Sequence, residues 1–155
     1  MTIRRGAFTL LDFVRESNRI EGILREPTEA EIDAHERLLA LEKLSVADIE
    51  EFVRVIAPGK PLRNRVGMNV RVGRHVAPPG GPNIQTELES ILGWTNKKES
   101  PPAVVHQFYE QVHPFMDGNG RSGRALWLWM MGGIEHAPLG FLRHWYYQSL
   151  SEGRS

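Results

Sequence analysis

Apolar residues along this chain recur mostly at intervals of three and four, the spacing that gathers them on one face of a helix. Phe8, Leu10, Leu11 and Val14 make such a stripe and predict a first helix from about Ala7 to Ile20, stopped by Gly22. Thr28 and Glu31 form a capping-box pair that opens a second, moderately amphipathic helix to about Leu44, with His35 at its boundary. Ser45 caps a third, in which Ile49, Phe52, Val53 and Ile56 face inward, and Pro58-Gly59 closes it. Asn83 caps a fourth through about Leu92, carried by Ile84, Leu88 and Ile91 or Leu92; Gly93 to Glu99 then reads as a polar loop. Ser100-Pro101-Pro102 starts a fifth, with Val104, Val105, Phe108, Tyr109 and Val112 as its core face and His106 packed or at the surface.

From Arg121 to Met131 the pattern loses its polar side, which predicts a buried central rod with Trp127 and Trp129 as core residues. Gly132-Gly133 ends it. A last amphipathic helix, about Pro138 to Leu150, carries Leu139, Phe141, Leu142, Trp145 and Tyr146; a homodimer contact and an adenine pocket are both open readings of those aromatics. Only residues 60–82 break the helical period. Their β-branched residues nearly alternate around a Gly73-Arg74 turn, the signature of a short β-hairpin. A lone hairpin is marginal, so it must lean on the helices. The expectation is an all-α bundle with one short β-hairpin, a single domain over residues 1–155, with Arg74 and His75 exposed at the hairpin turn.

Composition narrows the partners. Lys plus Arg and Asp plus Glu both number 19, so the net charge is zero and neither nucleic acid nor an anionic membrane is expected. The chain has no cysteine, which removes disulfides and catalytic thiols and favours the cytoplasm, with delivery into another cell left open. No apolar run is long enough to span a bilayer, and the first residues lack the apolar centre of a secretion signal.

The chemistry concentrates in His113-Pro-Phe-Met-Asp-Gly-Asn-Gly-Arg-Ser-Gly-Arg124. Pro114 disfavours a helical His113, so the fifth helix should stop near Val112. Gly118 and Gly120 let the backbone present consecutive N–H groups, a concavity suited to anions. Asn119 is placed either to cap the next helix or to bond a phosphate oxygen. Arg121 and Arg124 lie three apart on the first turn of that helix, where two cations oppose its dipole. A polyphosphate between the backbone donors and the guanidiniums would remove the conflict. Beside phosphates, Asp117 is the natural magnesium ligand and His113 the natural general base. A purely structural loop would leave the arginines without a partner. A zinc site has no cysteine and no second close histidine, and the phosphate loop ending in Gly-Lys-Ser/Thr is absent.

This stretch resembles the signature of the Fic (filamentation induced by cAMP) family, H-P-F-x-[DE]-G-N-G-R-x-x-R, at every specified position: His113, Pro114, Phe115, Asp117, Gly118, Asn119, Gly120, Arg121 and Arg124. The resemblance implies transfer of AMP from ATP to a hydroxyl of a target protein. His113 would be the base, Asp117 would hold Mg2+, Gly118 to Gly120 would form the anion hole, Arg121 and Arg124 would grip the phosphates, and Phe115 would anchor the loop. Ser17 and Glu21-Gly22, four apart at the end of the first helix, resemble the family's inhibitory motif, [ST]-x-x-x-E-[GN]. That resemblance implies that Glu21 pairs with Arg124 and takes the space of the ATP γ-phosphate. Residues 7–22 would then be an inhibitory helix, 60–82 a flap that aligns the target, and 113–124 the catalytic loop. The lead-in at Arg63 and Arg65 departs from the family's Gly-x-Tyr/Phe-Arg. Other group transfers of the Fic type, removal of AMP, or a non-catalytic nucleotide-binding regulator are the competing readings; Gly120, where a kinase-like variant carries lysine, argues against phosphate transfer.

Overall fold

A computed structural model describes residues 8–137. Among them are six α-helices, α1 (Leu10–Ile20), α2 (Glu29–Leu39), α3 (Val46–Ile56), α4 (Pro82–Lys97), α5 (Pro102–Val112) and α6 (Asn119–Met130). Strands β1 (Arg71–Val72) and β2 (His75–Val76) form an antiparallel hairpin between α3 and α4, pairing Arg71 with Val76 and Val72 with His75. The helical bundle with a small hairpin is therefore the observed fold. The expected last helix, from Pro138 to Leu150, lies outside the described residues.

Local chemistry sets the helix starts. Thr9, Thr28 and Ser45 each close a reciprocal capping box, with Asp12, Glu31 and Asp48 respectively. α1 therefore begins at Leu10, after its cap. It ends in a Schellman turn, in which the N–H groups of Gly22 and Ile23 donate to Arg19 and Asn18 at 2.9 and 3.0 Å. Gly22, at φ 79°, makes that turn possible and leaves Glu21 as the capping residue.

Three expected boundaries are corrected. α2 stops at Leu39 rather than Leu44, because the Asn96 side chain takes over the backbone of Leu44: it accepts from the N–H and donates to the carbonyl, both at 2.8 Å. α4 is not capped by Asn83; Gly81 precedes it and Pro82 takes its first position. It also runs through Gly93 to Lys97, so the expected polar loop is helical. A single mid-helix glycine costs about 1 kcal/mol, and burial of Ile91, Leu92 and Thr95 around it outweighs that.

α6 is the central rod. It packs most extensively on α5 and also touches α1, α2 and α3. Every residue from Asn119 to Trp129 except Gly120 is buried. Leu126 joins the main core of α3, α4 and α5, while Trp127 and Leu128 pack on Phe13 of α1. Trp129 is a core residue too; its indole N–H donates to Leu41 at 2.8 Å.

His35 is a further correction: it is a core residue, 2% exposed, and not a boundary one. Its Nδ1 bonds the Glu31 carbonyl at 2.7 Å, and its ring stands edge-on to Phe13 and Phe52. Burial drives its pKa from 6.5 to about 4, against the opposing Glu31 carbonyl and with help from Arg124 and Arg121. Between those two values the unfolded chain binds a proton that the folded chain does not, so stability falls as the pH drops from 6.5 to 4. At 1.4 kcal/mol for each pKa step the loss is about 3 kcal/mol. His35→Met should flatten the urea-unfolding free energy over that window; an unchanged slope would refute the assignment. The Glu31 carboxyl, which Arg25 and Thr28 hold at about 2 against its own burial, adds a loss of the same sign once the pH falls below its ordinary 4.5, so the span from 6.5 to 4.5 reports His35 alone.

Candidate functional site

The site forms where the end of α5, the start of α6 and the end of α1 converge. Pro114 excludes helical geometry for His113, which caps α5 in the left-handed region at φ 48°, ψ 66°. In its neutral ring Nδ1 bonds the Glu110 carbonyl closely, and a carbonyl only accepts, so Nδ1 carries the proton. The lone pair is left on Nε2.

The loop after His113 is held from both sides. Met116 N–H donates to Pro61 at 3.0 Å and Arg63 N–H to Pro114 at 2.8 Å, flanking a bridge between Leu62 and Phe115. Phe115 is 1% exposed and anchors the loop in the core. With the cap position at Gly118, Asn119 does not cap the helix. Its amide accepts from the Phe115 N–H and donates to the Phe115 carbonyl, both at 2.8 Å, because an amide alone offers donor and acceptor side by side. Gly118 precedes the helix at φ 81°, and a Cβ there would lie 3.0 Å from that of Ala57. α6 accordingly starts at Asn119, two residues before the expected Arg121. Its first N–H groups have no carbonyl within the helix to bond.

The arginines are positioned unlike the expected parallel pair. Arg121 is buried and turned back into the fold, with Nη1 donating to the Ile56 carbonyl at 2.8 Å, while its Nε lacks a partner among the described residues. It caps the negative end of α3, a favourable place for a cation. Burial lowers its pKa, chiefly against the fields of Asp117 and Glu21. Arg124 is 4% exposed and reaches across to α1. Its Nε donates to Ser17 Oγ at 2.8 Å, and its Nη2 donates to the Ser17 carbonyl at 2.9 Å and to Glu21 Oε2 at 2.6 Å.

The Glu21 carboxylate thus lies at the N-terminus of α6, so close over Gly120 that a Cβ there would overlap it. The conflict between Arg124 and the helix dipole is resolved inside the chain, by a carboxylate in the place where an anion was expected. Asp117 is exposed at the rim, and its Oδ1 accepts from Gly118 N–H at 2.8 Å. Among the described residues no three acidic, histidine or cysteine side chains cluster as a metal site. A cation there would rely on Asp117 with phosphate oxygens and water, which suits magnesium. His75 joins the site from the hairpin: its Nε2 meets the Gln111 carbonyl at 2.8 Å and its ring lies 6.3 Å from that of His113.

Two participants were missed or underread in the sequence. Arg63 is wholly buried beneath His113, although beside Asn64 and Arg65 it reads as a surface residue. Glu110 is paired with the buried His106 at 3.3 Å; its burial would raise the carboxyl's pKa, but His106, then His113 and Arg124, outweigh this and hold it below the ordinary range.

Ser17→Ala would leave a buried guanidinium N–H without its acceptor, a loss of about 1–3 kcal/mol. Urea unfolding at neutral pH measures it, and a change near zero would show that the Ser17 bond is dispensable.

The Fic/DOC family description matches residues 31–131. A protein adenylyltransferase Fic from Culex quinquefasciatus is 32% identical over 91 residues, covering 52% of this chain and 18% of that protein. One from Nematostella vectensis is 30% identical over 125 residues, covering 72% and 29%. One from Drosophila ananassae is 28% identical over 123 residues, covering 61% and 24%. The chain therefore spans less than a third of the length of these relatives.

Proposed function

This chain belongs to the Fic/DOC family, and on that premise we propose that it is a protein adenylyltransferase restrained by its own first helix. The observation that carries the reading is the Glu21–Arg124 ion pair at 2.6 Å, seated on Gly120 at the start of α6. An anion already occupies the spot that helix geometry and the guanidinium prepare, and phosphate competes for the same donors. The names of the relatives, each a protein adenylyltransferase, favour ATP as the donor.

In the active arrangement Glu21 leaves, and the triphosphate lies along the N-terminus of α6 with Arg124 on its distal phosphates. Arg121, turned toward α3, holds the floor of the site and supplies positive field. Asp117 would hold a magnesium ion, which would supply charge neutralisation for the phosphates. His113 Nε2 takes the proton from a Ser, Thr or Tyr hydroxyl of a target protein. The hydroxyl oxygen bonds to the α-phosphorus, the bond from that phosphorus to the bridging oxygen breaks, and pyrophosphate leaves. The backbone of Gly118 to Gly120 donates to the oxygens that gain charge.

The locked ion pair equally suits a nucleotide-binding regulator that transfers nothing. Incubating Glu21→Gly protein with α-labelled ATP and a cell lysate separates the two readings. Labelled protein is expected from Glu21→Gly, at least about tenfold above wild type, the worth of one charged hydrogen bond. His113→Ala in the same background should lose about 10²–10⁴-fold, the contribution of a general base. No label with Glu21→Gly would favour the regulator, and full transfer without His113 would reject it as the base.

A further inference from the structure

We infer that Arg63 is a positioning residue whose guanidinium ties the root of the β1–β2 hairpin to the backbone of His113, so that hairpin and base are held as one body. The consequence for catalysis rests on the proposed reaction; the tie itself does not.

Arg63 is 0% exposed, and every hydrogen bond the structure gives its guanidinium goes to a backbone carbonyl. Nε donates to His113 at 2.6 Å and Nη2 to Val112 at 2.7 Å. Nη1 donates to Met68 at 3.0 Å and to Pro78 at 2.8 Å. The first two acceptors are terminal carbonyls of α5, which have no donor within the helix. The second two flank the hairpin, one on each leg. The main chain of Arg63 extends the pattern: its N–H donates to Pro114 at 2.8 Å, and its carbonyl accepts from Gly81 N–H at 2.9 Å.

Capping α5 alone would need one or two of those bonds. Only a planar fork with five N–H groups can serve both the helix end and two hairpin legs; a lysine ammonium cannot span them. Burying an arginine without a carboxylate partner is costly, and burial does lower its pKa, opposed among the described residues by Glu87. Such a group persists where it fixes geometry. Gly80 shows how tight the root is, since a Cβ there would overlap the carbonyl oxygens of Met68 and Arg65. A target chain laid against the hairpin would therefore meet His113 at a set distance, and a misplacement near 1 Å costs on the order of 10²-fold in rate.

Two substitutions test this in the Glu21→Gly protein. Arg63→Lys cuts the tie at its centre. Gly80→Ala leaves the Arg63 and His113 side chains in place and pushes the carbonyls of Met68 and Arg65 from the hairpin side. Hydrogen exchange read by mass spectrometry should quicken in residues 66–79 and in residues 112–116 together, in both variants. Transfer of α-label should lose on the order of 10²-fold in kcat, with KM for ATP little changed. If folded Gly80→Ala quickens exchange in the hairpin alone, or either folded variant keeps full kcat, the tie is refuted. Should Arg63→Lys fail to fold, Gly80→Ala decides. If the Glu21→Gly parent transfers no label, the assigned reaction fails and the exchange arm judges the tie by itself.

Discussion

The buried guanidinium of Arg124, rooted in the second turn of α6, folds back over Gly120 to the positive end of the helix dipole, and most of this structure near the site answers that misfit. Arg124 spends its donors on Ser17 and Glu21 of α1. α1 in turn ends with a carboxylate at its own negative pole, which is unfavourable unless a cation meets it. Each helix end supplies what the other lacks. The Gly22 turn matters because it stops α1 at Ile20 and leaves Glu21, the capping residue, facing α6. A contact of this kind is strong while made and replaceable by any ligand that brings the same charge, which is the physical basis of a reversible block.

The second constraint is rigidity beneath the block. The loop from His113 to Gly118 has few side chains of its own to hold it, so it borrows from distant segments. Asn119 closes it on Phe115, residues 61–63 pair with residues 114–116, and Arg63 collects the carbonyls beneath. Arg121 does for α3 what Arg124 does for α1, although its partner is a backbone carbonyl and not a movable carboxylate. The two signature arginines are thus unequal: one is tied to a backbone carbonyl, and the other to a side-chain carboxylate that the proposed function would exchange for phosphate. That asymmetry would let the block lift without loosening the floor of the site.

How much of this the residues announce depends on the range of the interactions. Capping boxes are local, and so the starts of α2 and α3 are readable from Thr28 and Ser45; the Thr9 box, equally local, moves the start of α1 from the expected Ala7 to Leu10. The hairpin is readable from Gly73 and its β-branched flanks, and the end of α5 at Val112 from Pro114, although not the left-handed backbone of His113. The end of α2 is not, because Asn96, 52 residues away, decides it. Asn83 looks like a cap, but Pro82 already fills the first turn of α4. Arg63 gives no periodic signal, since its acceptors come from three separate segments. Arg121 and Arg124 look equivalent in sequence, and only the packing of α3 and α1 tells them apart. The Glu21–Arg124 contact was legible through a motif resemblance, not through spacing alone.

The most direct test of the exchangeable contact is titration calorimetry of Mg·ATP against four proteins: wild type, Glu21→Gly, Arg124→Met and the double variant. If carboxylate and phosphate share Arg124, Glu21→Gly should bind at least about tenfold more tightly than wild type, and that gain should vanish once Arg124 is gone. Equal affinities for wild type and Glu21→Gly, or a gain that survives Arg124→Met, would contradict the account.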